Sequence, residues 1–327
     1  MTKGKKATAG IFATLFAIIG VFLLFWFFGD NYNDFYNRAQ AEFDISGLKD
    51  GFIPQGLCYE ESSDTFLMSG YMKDGSASRV YVIDAQSGET EKYFTLKNGE
   101  EDYVGHAGGI ETDGLNVWVV GDGYVFRFAF GEIETVECKG TINIIDSFES
   151  GNGADYVVKH ENFLIVGEFH KDGKYDTDES HHIGDNKAVA LAYLISPFGR
   201  CGLTETPVCA ISTRSLVQGM EIHNDKIILS TSYSLPKSKI YIYEKPESSI
   251  GEFEINEKKI PLFSLTDEIL LDTIEAPCMS EEVTVADDKI FILFESACEK
   301  YNLVTREQLK HVYSFELEEL SPTFKTI

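Results

Sequence analysis

The sequence predicts an all-β chain folded as a five-bladed β-propeller, preceded by one N-terminal transmembrane helix. Two observations carry this prediction. One is an uncharged apolar run near the N-terminus, and the other is a set of five similar segments repeated along the rest of the chain. Six blades are the alternative count. A third observation, the charge balance, restricts the partners that the body can have.

The N-terminal apolar run covers residues 7–28, which are 22 residues without a charge. At about 1.5 Å per residue in a helix they span roughly the 30 Å of a hydrocarbon core. Three lysines precede the run and acidic residues follow it, so the positive-inside rule places the N-terminus in the cytoplasm. The flanking residues are Lys3, Lys5 and Lys6 before the run, and Asp30, Asp34 and Glu42 after it.

We therefore expect a single-pass protein of the cell membrane. Its parts are a cytoplasmic tail at 1–6, a signal anchor at 7–28, a polar stalk at 29–41 and an extracellular propeller at 42–327. A cleaved signal peptide is the competing interpretation, because Ala39-Gln40-Ala41 has the small-x-small form of a cleavage site. That tripeptide lies more than ten residues beyond the apolar run, and signal-peptide apolar regions are shorter than this one.

The body of the protein is strongly acidic. The chain has 53 Asp and Glu against 28 Lys and Arg, and residues 29–327 hold all the carboxylates and 25 of the cations, a formal charge of −28. Phosphate backbones would be repelled, so nucleic-acid binding is disfavoured, and anionic headgroups would not recruit the body itself. Metal cations and cationic partners remain open, as does an acidic surface that serves only solubility.

Five segments of the body align with one another. Each has an alternating strand, a turn rich in Asp, Asn, Ser or Gly, and a second strand that is nearly continuous in apolar residues. Most are followed by a third strand, and four antiparallel strands repeated radially form the blades of a propeller. The five copies begin at Gln55, Gly108, Ala154, Gln218 and Glu281.

The spacing of the copies sets the blade count. The starts are 53, 46, 64 and 63 residues apart, which suits blades with loops of variable length. No sixth start exists without breaking one of the five copies. The strand at 311–317 and the segment 42–45 are expected to complete the last blade and close the ring. A β-sandwich would not explain the similarity among the copies.

Six cysteines in an outward-facing body permit three disulfides. Repeat register and local spacing favour two pairs, Cys278 with Cys298 at the open end of one hairpin, and Cys201 with Cys209 across a short segment. Cys58 and Cys138 stay unassigned, and Cys58 in an innermost strand is equally explained as a small buried hydrophobe.

In a propeller all innermost strands begin at one face, and all second strands end at that face. The residues at these two repeat positions therefore meet around one mouth of the axial channel, and several of them are carboxylates in this chain. Carboxylates that lie close together are unfavourable unless a cation, a ligand or raised pKa values relieve their repulsion. Carboxylate oxygens suit calcium or magnesium, and solvated carboxylates without an ion are the alternative. The predicted metal ligands at this mouth are Asp122, Glu168, Glu281, Glu282 and Glu295.

Other polar side chains are expected at the same mouth. Gln55, His106 and Gln218 are candidate ligand-binding residues, and His106 is also a candidate catalytic base. A long insert at 168–182 holds three of the seven histidines and leaves a second strand over this mouth, as a weaker metal site or a polar lid. The chain has no Gly-x-Ser-x-Gly, P-loop or Rossmann glycine pattern, which leaves hydrolases of the α/β type, kinases and dehydrogenases without support.

Several short motifs resemble known propellers. The first blade resembles the opening blade of plant-type glutaminyl cyclases, which are five-bladed. The resemblance runs from residues 52–57 through Ser69-Gly70-Tyr71 to Ser78-Arg79-Val80 and Ser87-Gly88, although this chain has Gly108 where that family carries a glutamate. The mouth carboxylates are similar in placement to those of the gluconolactonase, paraoxonase and strictosidine synthase group, six-bladed propellers that hold calcium or another divalent ion. That similarity implies a divalent ion here.

The whole body also looks like a family of secreted or membrane-tethered bacterial propeller proteins with no assigned activity. The recurring motifs are Pro54-Gln55-Gly56, His106-Ala107-Gly108-Gly109 and Phe294-Glu295-Ser296-Ala297. Two functions are therefore expected as alternatives. One is a membrane-anchored extracellular module that binds an unidentified ligand or protein. The other is a divalent-metal-dependent hydrolase or lactonase, in which the ion polarises a carbonyl and His106 or a carboxylate acts as base.

Overall fold

The computed structural model describes Gly20 and residues 32–316. The chain separates into two compact units, Met1–Asn33 and Asp34–Ile327, and the second contains every strand within the described range. The predicted cytoplasmic tail lies outside the described residues, as does the predicted signal anchor apart from Gly20. Among the residues that are described, no helix has the length and apolar character needed to span a membrane.

Twenty-four strands and a few short helices make up the described part of the second unit. The chain enters through helix α1, Asn33–Arg38, and strand β1, Gln40–Asp44. Blade 1 contains β2, Phe52–Glu60; β3, Thr65–Met72; β4, Arg79–Asp84; and β5, Thr90–Asn98. The short strand β6, Glu101–Asp102, pairs with β5. Blade 2 contains β7, Gly109–Thr112; β8, Asn116–Gly121; and β9, Tyr124–Ala129. Helix α2, Gly131–Thr135, strand β10, Thr141–Asn143, and the outer strand of blade 2, β11, Asp146–Glu149, follow.

Blade 3 contains β12, Tyr156–His160; β13, Phe163–Gly167; β14, Ala188–Leu194; and β15, Cys209–Thr213. Blade 4 contains β16, Val217–His223; β17, Lys226–Thr231; β18, Ser238–Glu244; and the outer strand β21, Leu270–Ala276. A hairpin of β19, Gly251–Ile255, and β20, Lys258–Ser264, is inserted between β18 and β21. Blade 5 contains β22, Ser280–Ala286; β23, Lys289–Phe294; and β24, His311–Glu316. Short 3₁₀ turns lie at Leu48–Asp50, Glu179–His181, Arg200–Gly202 and Asp267–Ile269.

The five innermost strands form a closed ring. β2 contacts β7, β7 contacts β12, β12 contacts β16, β16 contacts β22, and β22 returns to β2. The N-terminal strand β1 pairs antiparallel with β24 and supplies the fourth strand of blade 5, with Gln40 opposite Ser314 and Asp44 opposite His311. The five-bladed propeller and its closure by both chain ends are confirmed, and the six-blade alternative is wrong.

Glycine lets neighbouring innermost strands approach each other. A Cβ added to Gly56 would lie 2.7 Å from the backbone nitrogen of Ile110, and one added to Gly109 would lie 2.8 Å from that of Val157. Both glycines occupy the second position of their repeats, where a side chain would push adjacent blades apart.

The core lies between the blades, where the apolar face of each sheet packs on the next. Leu67 and Phe94 of blade 1 are fully buried in one cluster with Phe128 of blade 2. Trp118 of blade 2 is buried against blade 3, and its indole Nε1 donates a hydrogen bond to the carbonyl of Cys201 at 2.7 Å. The hairpin of β19 and β20 extends blade 3, because β20 pairs in parallel with β15.

The predicted disulfides are absent, because all six cysteines are free thiols in the described structure. Cys201 is buried on the side of blade 3 that faces blade 2, whereas Cys209 packs against the cluster shared with blade 4, so the sheet separates the two thiols. The expected pairing of Cys278 with Cys298 fails for another reason. The ladder of β22 and β23 ends at Ser280 and Phe294, and the chain then turns, with the amide of Cys298 donating to the carbonyl of Glu295 at 3.0 Å.

Candidate functional site

The ring has two openings, which we name by the direction of the innermost strands. The front mouth is the opening where these strands begin, and the back mouth is the opening where they end. The front mouth contains a cavity of about 580 Å³, and all five blades contribute side chains to its wall. Its main polar and aromatic residues are Gln55, Tyr71, His106, Asp122, Asp155, Phe169, Lys174, Tyr175, Gln218, Ser232, Tyr233, Glu281, Glu295, Lys300 and Tyr301.

Most of the residues predicted for this mouth do line the cavity. They are the three candidate ligand-binding residues and three of the five candidate metal ligands, namely Gln55, His106, Gln218, Asp122, Glu281 and Glu295. Asp122 is placed by the tight turn between β8 and β9, where Asp122 and Gly123 both have positive φ, as a type I′ hairpin turn requires.

The other two predicted metal ligands are directed elsewhere. Glu168, which is 3% exposed, follows β13 and accepts hydrogen bonds from His181 Nδ1 at 2.8 Å and from the amide of Val189 at 3.0 Å. Glu282 lies in a bulge of β22 and turns toward β16, where its Oε1 accepts from the amide of Met220 at 3.2 Å. The structure therefore does not bring all five carboxylates together at one point.

Glu281 and Glu295 form the centre of the cavity wall as a hydrogen-bonded pair of carboxyl groups. Glu281 is 3% exposed and Glu295 is 9% exposed. Burial and the neighbouring Glu295 raise the pKa of Glu281 well above its ordinary value, and burial raises the pKa of Glu295 to about 7. Two neighbouring buried carboxyl groups cannot both ionise readily, because each negative charge disfavours the other.

Two carboxamides flank this pair, one on each side. Gln55 Nε2 donates to Glu295 Oε2 at 3.2 Å and to the carbonyl of Pro54 at 2.7 Å. Gln218 Nε2 donates to Glu281 Oε1 at 3.4 Å. Gln55 begins blade 1 and Gln218 begins blade 4, so the innermost strands on both sides of blade 5 hold its carboxyl pair in place.

One wall of the front mouth is aromatic and carries a lysine. Lys300 Nζ donates to the hydroxyl of Tyr71 at 2.6 Å and lies 4.9 Å from the ring centroid of Tyr301. The ring of Tyr71 stacks on His106 with a centroid distance of 4.8 Å. Burial lowers the pKa of His106, which therefore presents a neutral imidazole to the cavity at neutral pH.

The opposite wall is built by the long insert after β13. Phe169 lies 5.8 Å from Tyr175 and 6.2 Å from Tyr233, measured between ring centroids. Lys174 Nζ donates to the hydroxyl of Tyr233 at 2.9 Å. Asp155 Oδ2 accepts from the amide of Phe169 at 2.7 Å, and burial raises the pKa of Asp155 to about 6. The predicted polar insert thus supplies part of the cavity wall.

The same insert contains a possible metal-binding group. Potential ligand atoms of His170, Asp172 and Asp176 all lie within 4.8 Å of one another, and within residues 32–316 no other group of three such side chains meets this distance. His170 is buried, while both aspartates are exposed. Its ring nitrogens already contact Thr177 Oγ1 at 2.9 Å and Asp172 Oδ1 at 3.0 Å, so the group also works as a hydrogen-bonded brace for the loop.

The back mouth contains a second cavity, of about 660 Å³, with a different character. Glu111 accepts from the amides of Thr112 at 2.8 Å and Lys159 at 3.1 Å. Glu221 occupies the same repeat position in blade 4 and accepts from two amides likewise, including that of Val285 at 3.1 Å. Burial raises the pKa of Glu111 to about 7 and that of Glu221 to about 8. These carboxyl groups connect adjacent innermost strands through hydrogen bonds, so their role is to stabilise the propeller.

Sequence reasoning missed Tyr71, Asp155, Tyr233, Lys300 and Tyr301. Except for Asp155, each lies at the end of a second strand or in the connection from a second to a third strand. These connections all lie at the face that holds the front mouth. A search of these strand ends and connections for aromatic and cationic residues would have found the four residues other than Asp155. Asp155 directly precedes β12, and its direction toward the cavity could be predicted only with the exact register of that strand.

Comparisons with known proteins give similarities in structure and none in sequence. No model of a protein family matches the chain, and no curated protein sequence matches it. Among solved structures, the chain is similar to glutaminyl cyclase from Myxococcus xanthus, with 11% identity, a TM-score of 0.45 and coverage of 85% of this chain and 94% of that one. It is also similar to the gluconolactonase XC5397 from Xanthomonas campestris, with 10% identity, a TM-score of 0.42 and coverage of 88% and 93%.

Hydrazine synthase from Kuenenia stuttgartiensis is matched as well, with 11% identity, a TM-score of 0.36 and coverage of 80% of this chain and 74% of that one. The two types of propeller that the sequence resembles are thus both represented among the structural matches. At these identities and TM-scores the matches carry no inference about activity, and the fold assignment rests on the closed ring of five sheets.

Proposed function

We propose that the protein is a membrane-anchored extracellular binding module whose ligand site is the front mouth. The observation that carries the proposal is the convergence of side chains from all five blades on one cavity, around a buried carboxyl pair held between two carboxamides. Ligand pockets combine a few well-placed polar groups with aromatic walls, and this cavity has both.

The contrast between the two openings supports the choice of the front mouth. At the back mouth, the carboxylate oxygens of Glu111 and Glu221 already accept hydrogen bonds from backbone amides of their own and neighbouring strands. At the front mouth, Ser232 is 3% exposed and its Oγ has no hydrogen-bond partner within the described residues, although it borders the cavity. A buried hydroxyl without a partner is unfavourable, and a ligand would satisfy it.

The membrane attachment belongs to this proposal and is supported by the apolar run at 7–28 with lysines before it and carboxylates after it. In this arrangement the acidic propeller faces the outside of the cell, where a ligand or partner protein would reach the front mouth. Protease treatment of intact cells tests the orientation. Digestion of the propeller with survival of the short tail supports it, and full protection of the propeller contradicts it.

A ligand screen with two matched variants tests the binding role. Lys300→Met alters the front mouth and Lys159→Met makes the same change at the back mouth. Compounds that raise the melting temperature of the purified protein should change in affinity by at least about tenfold with Lys300→Met and little with Lys159→Met, because only the first removes a charge from the site. A change with Lys159→Met alone would transfer the function to the back mouth.

A divalent-metal-dependent hydrolase or lactonase is the second candidate. It is supported by Asp122, Glu281 and Glu295, which all border the front-mouth cavity although they do not form a group with ligand atoms within 4.8 Å of one another, and by the neutral imidazole of His106 in the same lining. The fit to a calcium ion is partial, since Glu281 and Glu295 hydrogen-bond to each other and the ion would have to replace their proton. The loop residues His170, Asp172 and Asp176 are an alternative place for an ion.

Metal analysis of the purified protein separates the two candidates. The hydrolase requires a stoichiometric divalent ion and a melting temperature that rises with calcium in the wild type and not in Glu295→Gln. A calcium response that is lost with Asp176→Asn instead would assign the ion to the loop. Absence of a stoichiometric ion would leave the binding module as the function.

A further inference from the structure

We infer that the ligand of the front mouth carries a protonated amine, which binds against Glu281 and Glu295. The inference rests on the proposed function and names the chemical class of ligand for the same site. It follows from the balance of charge in the cavity, the unmet hydrogen-bonding capacity of its wall, and the arrangement of its aromatic rings.

The charge balance is the first step. Four carboxyl groups border the cavity, from Asp122, Asp155, Glu281 and Glu295, against two lysines. Lys300 donates a hydrogen bond to Tyr71 and Lys174 donates one to Tyr233, and the positive charge of Lys300 also acts on Glu295. Two cations beside four carboxyl groups leave an excess of negative charge that a ligand cation would relieve.

The hydrogen bonds give the second step. Gln55 divides its amide group between Pro54 and Glu295, and the bond from Gln218 to Glu281 is long at 3.4 Å. The carboxyl pair therefore has accepting capacity left over. Ser232, whose buried Oγ has no hydrogen-bond partner within the described residues, is one of the residues that line the same cavity. An ammonium group supplies three donors and a positive charge at once, which matches this excess of acceptors.

The aromatic side chains give the third step. Tyr71 and His106 stack on one side of the cavity, and Phe169, Tyr175 and Tyr233 cluster on the other. Such walls accept the apolar body of an organic amine and attract its positive charge. A neutral sugar would use the same aromatic faces, but it would leave the excess of buried carboxyl groups unrelieved, so the observations favour the amine.

Binding of an ammonium group depends on its positive charge. An alcohol of the same shape offers one donor and no charge, so it would leave the carboxyl groups of the cavity without an added cation. The other titratable groups that face the site are His106, Asp122, Asp155, Tyr71, Tyr175, Tyr233, Tyr301, Lys174 and Lys300.

Calorimetric titration of the purified full chain with matched probes tests the inference. The probes are benzylamine and phenethylamine, each compared with its alcohol, and methyl glucoside as a neutral sugar. Each is titrated at the same neutral pH. The amines should bind at least about tenfold more tightly than the alcohols. Glu295→Gln should weaken amine binding by at least about tenfold, and Glu61→Gln at the back mouth should leave it unchanged.

The possible results separate this inference from the proposed function. Binding of the alcohols or the sugar as tightly as the amines would overturn the amine assignment and leave the front mouth as a binding site. Failure of both amines to bind would also overturn it, while the ligand screen with Lys300→Met would still test the site. Amine binding that is lost with Glu61→Gln would overturn both. The comparison of each amine with its alcohol needs only wild-type protein, so the test holds even where Glu295→Gln fails to fold.

Discussion

Glutamine in place of Glu295 should make the protein more stable at pH 8 while it weakens the function. Glu295 is 9% exposed, and burial raises its pKa from an ordinary value of 4.5 to about 7. Because the folded value lies above the unfolded one, the stability that the neutral carboxyl group provides is complete below pH 4.5. It is lost as the pH rises through 7. At pH 8 the folded protein must hold an ionised carboxylate at this buried position.

The size of the effect follows from the shift. A shift from 4.5 to about 7 corresponds to about 3 kcal/mol of unfolding free energy at pH 8, and to less than about 1 kcal/mol near pH 5. Glutamine keeps the shape and removes the ionisation, so the variant should gain most of this difference. The gain stays below the full value because Lys300 no longer has the charge of Glu295 to attract.

Urea unfolding at pH 5 and pH 8, followed by the fluorescence of the fully buried Trp118, measures the difference. The exposed Glu91→Gln in β5 is the matched control and should leave the stability unchanged at both values. A Glu295→Gln variant that is no more stable than the wild type at pH 8 would refute the reasoning. So would a gain of equal size at pH 5.

Three further predictions concern the fold. Gly219→Ala should cost about 2 kcal/mol in urea unfolding, because its Cβ would displace Glu282 Oε1 from the amide of Met220, while Gly251→Ala, which has open space, should cost little. Phe43→Ala should lower the free energy of unfolding by about 3–5 kcal/mol and lower the melting temperature, because the buried Phe43 ring in β1 lies 4.9 Å from the ring of Phe66. An unchanged melting temperature would contradict closure of the ring by β1. Thiol titration of unreduced, denatured protein should count all six cysteines, and a count of four or fewer would restore the predicted disulfides.

The repeat pattern predicted the architecture because propeller blades differ mainly in their loops. Alternation of apolar residues marked the first strands, and continuous apolar runs marked the second strands, which are buried on both faces, as in β13 and β23. The same register placed Gln55, Gln218 and Glu281 at one mouth. Even the closure by residues 42–45 was predictable, since the last repeat lacked a fourth strand of its own.

The misplaced residues have local physical causes. A one-residue bulge reverses the faces of the residues that follow it, and the bulge in β22 sends Glu282 toward β16 while Glu281 borders the cavity. Cys201 and Cys209 are near in sequence, yet they lie on opposite faces of one blade. The spacing of residues in the sequence predicts neither the bulge in β22 nor the path of the chain through the turn at Arg200–Gly202.

The aromatic wall of the front mouth was also beyond reach of the repeat pattern. Lys300 and Tyr301 lie in the long connection from β23 to β24, and Tyr175 lies in the insert after β13. These loops have no counterpart of equal length in the other blades, so the register of the repeats does not position them. Their place over the cavity follows only from hydrogen bonds and ring contacts such as the one between Lys300 and Tyr71.

The protonation of the carboxyl groups of Glu281 and Glu295 is the centre of the account, and infrared difference spectroscopy observes it directly. The spectrum of amine-bound minus free protein at pH 6.5 should show loss of a protonated-carboxyl band in the wild type, with gain of carboxylate bands. Glu295→Gln should show no such change. An amine that binds the wild type without loss of that band, or with an equal loss in Glu295→Gln, would contradict the account.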